Sequence, residues 1–146
     1  VLTACSSVQQ PETTTPSPDP PRPEVVTEVV TGVAPPARRS VWDGVYTARQ
    51  ASGGETAFRQ VCAVCHSISE FRGGGFRLAW AGFRVGDLFQ PISTLIPKDD
   101  PGSLSPEEYS AIVSYLLREN GYPAGEEELV SDVPALRDIR VEVGDR

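Results

Sequence analysis

Cys62-Ala63-Val64-Cys65-His66 gathers two thiols and an imidazole into five consecutive residues. Thiols three positions apart lie on the same side of one helical turn. So placed, they can add to the two vinyl groups of a single porphyrin, and the next residue sets an imidazole under the iron as proximal ligand. Cys-x-x-Cys-His is the attachment signature of c-type haem. A thioredoxin-like redox pair would need a surrounding βαβ pattern, which is missing. A zinc site would need two more Cys or His ligands, but His66 is the only histidine and Cys5 the only other cysteine in the 146 residues. The reading is one haem c, bound covalently through Cys62 and Cys65, with His66 on the iron.

Helices must hold such a turn. Upstream, Ser52 reads as an N-cap with Glu55 three residues later, and Ala57, Phe58, Val61 and Cys65 recur at helical spacing. Downstream, Ser105-Pro106-Glu107-Glu108 combines a cap, a first-turn proline and acids at the positive end of the helix dipole. Tyr109, Ile112, Val113, Leu116 and Leu117 give that helix its apolar stripe, and Gly121 stops it. Gly73-Gly74-Gly75 is not a phosphate loop, because no Lys-Ser/Thr follows. It is expected to form a mobile turn beside the haem.

On these residues, positions 41–126 resemble the small monohaem, class I-like cytochrome c family. Gly54 and Phe58 fall eight and four residues before Cys62, and Ile112-Val113-Ser114-Tyr115 carries an aliphatic followed three later by an aromatic. The segments from Ser40 to Thr47, from Pro101 to Ser105 and from Asn120 to Gly125 also resemble bacterial members. The resemblance implies an all-α cytochrome c fold. In it the first and last helices cross around one haem, and a glycine on the first lets an aromatic of the last approach. It also implies that Trp80 donates its indole N–H to a haem propionate. Arg72, Arg77 and Arg84 are candidates to neutralise propionates, although each reads more simply as a solvated side chain.

The family's distal methionine falls at Ile96, in Leu95-Ile96-Pro97-Lys98, and the chain has no methionine at all. Three arrangements remain open: five-coordinate iron under an apolar lid that includes Ile96, ligation by a deprotonated Lys98, or a ligand from a partner chain. The first is favoured. Without a thioether the potential is expected to lie below the family norm.

The N-terminal segment is of another kind. Leu2-Thr3-Ala4-Cys5 resembles a bacterial lipoprotein box, with residues 1–5 as signal-peptide remnant and Cys5 as the lipidated residue. Residues 6–40 hold eight prolines among Ser, Thr and Glu, a composition that cannot build a core and reads as a disordered tether. Fully extended, it would reach roughly 100 Å. Residues 127–146 read as an acidic extension whose Ile139–Val143 alternation could lay a strand-like flap over the core.

Charge is bipolar. Arg49–Lys98 carries six basic and three acidic residues, and Asp99–Arg146 four basic and twelve acidic. With no basic stripe, nucleic acid is not an expected partner. The field suits redox proteins or a membrane complex as well as it suits simple solubility. The expectation is a one-electron carrier, not an enzyme, lipid-anchored on the periplasmic side of a bacterial membrane. The alternatives are an accessory haem subunit of a larger membrane complex, or a haem that binds small gases.

Overall fold

Local capping chemistry sets most of the helix ends in the computed structural model, which describes residues 39–144. Cys5, the signal remnant and residues 6–38 of the proline-rich segment lie outside the described residues. The described chain is mainly helical. The elements are β1 (Arg39–Ser40), α1 (Ala48–Val61), α2 (Gly74–Trp80), α3 (Val85–Leu95), α4 (Pro106–Glu119), α5 (Val133–Leu136) and β2 (Ile139–Arg140), with short 3₁₀ turns at Val41–Asp43, Cys62–Val64 and Ile68–Phe71.

α4 begins where its residue types demand. Ser105 accepts from the Glu108 amide, and Glu108 accepts from the Ser105 amide at 2.8 Å. These Ser105 contacts hold the Glu108 carboxyl below its usual range. Gly121 takes the left-handed φ of 82° just past the C-cap Asn120. Ser105→Ala is expected to cost about 1 kcal/mol, read as a lower urea midpoint at unchanged m-value.

α1 differs from the sequence expectation. Its N-cap is Thr47, whose hydroxyl accepts from the Gln50 amide, so the helix starts a turn before Ser52. Ser52 lies inside it and donates to the Ala48 carbonyl at 3.0 Å. The Gly73–Gly75 run also differs, for it opens α2 rather than forming a free turn. Gly73, at φ 84°, precedes the helix and Gly74 and Gly75 are its first residues.

α1 and α4 form the centre of the fold. Ala51, Gly54 and Phe58 face a buried row on α4 that includes Ile112, Tyr115 and Leu116. At Gly54 the two backbones come close: an added Cβ would lie 1.8 Å from the Ala111 carbonyl oxygen. The glycine therefore meets α4 backbone, while the aromatic Tyr115 packs on Phe58 at 5.5 Å between ring centroids. Gln50 ties three segments together: its amide group donates to the Leu129 carbonyl and Ser110, and accepts from Leu129 N and Ser114.

Residues 127–144 share this core. Leu129, Leu136, Ile139 and Val141 are buried, α5 packs on α3, and β2 pairs in parallel with β1 in the register Arg39↔Ile139 and Ser40↔Arg140. Val141 also exchanges two backbone hydrogen bonds with the turn after α2, accepting from Gly82 N and donating to Phe83 O. The alternating segment read from the sequence thus strands for two residues and pins the loop that follows Trp80.

Candidate haem-attachment site

The end of α1 passes directly into the turn that carries the thiols. Cys62 is the C-cap, with its amide bonded to Phe58 O. The Cys62 carbonyl then accepts from both Cys65 N at 3.1 Å and His66 N at 2.9 Å. The 3₁₀ turn spans Cys62–Val64 with Cys65 as its C-cap, and side chains at i and i+3 of such a turn leave the backbone on the same side. Both are free, Cys62 half-buried and Cys65 exposed. Burial pushes the Cys62 thiol above its usual range.

His66 is exposed but held on two sides. Its Nδ1 lies 3.2 Å from Oε2 of Glu70, and the Phe71 ring stands edge-on to it with centroids 5.3 Å apart. Glu70 is fixed in turn, because its Oε1 accepts from the Ser67 amide at 2.7 Å in a capping box that starts the next 3₁₀ turn. The Ser67 amide first, then the His66 ring, hold the Glu70 carboxyl below its ordinary range. An ionised carboxylate can only accept. Nδ1 is therefore the donor, and in the neutral imidazole Nε2 keeps its lone pair.

Packing carries this turn back to the core. The rings of Tyr115, Phe58, Phe71 and His66 follow one another at 5.5, 6.0 and 5.3 Å. Asn120, buried at the end of α4, donates to the Phe71 and Leu116 carbonyls and accepts from Gly73 N. Neither Glu70 nor Asn120 was singled out as a site residue from the sequence. Ser67-Ile68-Ser69-Glu70 is itself a capping-box pattern and would have pointed to the first.

The other expected site residues lie on other elements. Trp80 ends α2, half-buried, with its ring between those of Phe76 and Phe83. Ile96 is the C-cap of α3 and also half-buried. Its carbonyl accepts from the Tyr109 hydroxyl at 2.7 Å, which fixes the segment ahead of α4. Lys98 is exposed.

No family model, curated protein or solved structure matches this chain.

The donor set fits a haem bound through its vinyl groups and one axial imidazole. Two free thiols stand three positions apart on one turn, and the imidazole nitrogen that hydrogen-bonds protein is the one that iron would not use. On another element, at the start of α3, the Nη1 of Arg84 is the one buried side-chain nitrogen or oxygen among the described residues without a hydrogen-bond partner. A buried guanidinium nitrogen without an acceptor is costly, and a propionate would satisfy it. Among the described residues no three His, Cys, Asp or Glu side chains are grouped to hold a bare metal ion. A haem needs only one such ligand from this turn.

Proposed function

We propose that this chain is a monohaem c-type cytochrome that carries single electrons, tethered to the periplasmic face of a bacterial membrane through lipidated Cys5. The observation that supports it best is the Cys62–His66 turn, where two free thiols three positions apart precede an imidazole whose Nδ1 is already engaged. The tight α1–α4 contact at Gly54 supports a cytochrome c arrangement of the first and last helices.

In this reading Cys62 and Cys65 would form the two thioether bonds and His66 Nε2 would ligate the iron. The haem, when bound, supplies one-electron chemistry at its iron. The chain's residues would hold and shield it: Phe71 would brace the imidazole, Ile96 would belong to an apolar lid, and Arg84 and Trp80 would meet the propionates. Redox proteins or a membrane complex are the partners, through complementary charge.

A second reading, a haem that binds small gases, draws on the absence of methionine and of a second histidine. One experiment addresses both. The purified, exported protein is expected to give a pyridine haemochrome spectrum of one haem per chain that resists acid–acetone extraction. Its reduced spectrum is expected to shift under carbon monoxide. Loss of all haem on extraction overturns covalent attachment. A low-spin reduced spectrum indifferent to carbon monoxide overturns the five-coordinate iron.

A further inference from the structure

The Glu70 carboxylate has two partners, and together they make more than a surface ion pair. One oxygen is fixed by the Ser67 amide at 2.7 Å, inside a capping box that the local backbone requires. The other lies 3.2 Å from Nδ1 of His66. Phe71 confines the same ring from another direction. The carboxylate is thus delivered to the imidazole by a backbone motif rather than by a freely rotating side chain. Groups that hydrogen-bond the remote nitrogen of a metal-bound histidine fix its tautomer and orientation and raise its basicity as a ligand.

Resting on the haem reading, the geometry points to Glu70 as a positioning residue for the proximal ligand. By accepting Nδ1–H it aims Nε2 at the iron and strengthens its donation, which favours the ferric state and holds the potential down. This acts in the same direction as the missing thioether. It makes the low potential a property of both sides of the haem.

The test compares haem-loaded full-length variants poised at one ambient potential. Glu70→Gln keeps a residue that suits the capping box but removes the anionic acceptor. It is expected to raise the reduced-to-oxidised ratio about tenfold, or 59 mV for one electron. It is also expected to lower the iron–histidine stretching frequency of the ferrous protein in resonance Raman spectra. Ser67→Ala removes a capping hydroxyl and leaves Glu70 in place, so it is expected to move melting temperature and neither of these readouts. If Glu70→Gln does not accumulate, Glu70→Ala carries the same expectation, and Glu70→Asp is expected to restore at least half of the shift. A ratio within twofold of the parent and an unmoved iron–histidine band in a haem-loaded variant overturn the role of Glu70 alone. A parent protein without covalent haem, read from its pyridine haemochrome, overturns the haem reading and this role with it.

Discussion

Replacing Cys62 and Cys65 together by alanine is expected to abolish covalent haem. The two thiols are the only cysteines within the described residues, so no neighbour there can substitute. The effect is expected to be chemical before it is structural. Cys65 is exposed and caps its turn only through its backbone amide, which alanine keeps, so its substitution is expected to stay within about 0.5 kcal/mol. Cys62 is half-buried at the end of α1, and its loss removes only part of one sulfur's burial, about 1 kcal/mol or less. The Cys62 carbonyl that closes the turn is backbone and survives the substitution. The haem-free variant and haem-free parent are thus expected to share a far-ultraviolet circular dichroism spectrum. A haem-specific stain on a denaturing gel is expected to mark the parent and leave the variant blank. The variant also forgoes any stabilisation that haem confers by binding the folded state alone. A stained band in the double variant would mean that the attachment lies elsewhere.

The second large effect is expected at Gly54. Gly54→Ala improves intrinsic helix propensity by up to about 1 kcal/mol, yet it is expected to destabilise. The new Cβ would lie 1.8 Å from Ala111 O, 2.3 Å from Ala111 C and 2.9 Å from Ile112 N. All three are backbone atoms, so no rotamer change relieves the overlap, and α1 and α4 must move apart. That motion loosens the Phe58–Tyr115 contact, the Gln50 bridge and the 2.6 Å pair between Glu55 and Arg118 together. The net cost is expected to reach about 3 kcal/mol. The neighbouring residue supplies the control, because a Cβ on Gly53 meets nothing within 4 Å. Gly53→Ala is expected to stabilise by 0.5–1 kcal/mol or so. Urea melts of the two variants, measured side by side, are expected to move in opposite directions. Equal shifts would remove the steric account.

Much of the architecture near the site was legible because its signals are local. The Ser105 cap and the Gly121 stop of α4 depend on residues within one turn, and the Cys62–His66 pattern is contiguous. The start of α1 was misread because Ser52 has two uses. A serine before two glycines resembles a cap, but here it bonds the carbonyl four residues back inside a helix that tertiary packing sustains. α2 and α3 carry mixed local signals: one opens on glycines, and Pro91 sits within the other. Besides the local bond from Asn120 to Leu116, Asn120 and Gln50 act through partners 47 to 79 positions away, and no periodicity encodes such bonds. Glu70 falls between these cases. Its spacing to Ser67 and His66 is visible in the sequence, but only the backbone reveals that one carboxylate serves both.

The short parallel pair of β1 and β2 also has a kinetic meaning. It joins positions roughly 100 residues apart, and closing a loop of that length costs about 4 kcal/mol of chain entropy. Two residues of ladder on each side cannot offset that alone. The pair forms cheaply only after α1 has docked on α4 and drawn the intervening chain together. It is expected to close late in folding, and the Val141 clamp on the loop beyond Trp80 with it.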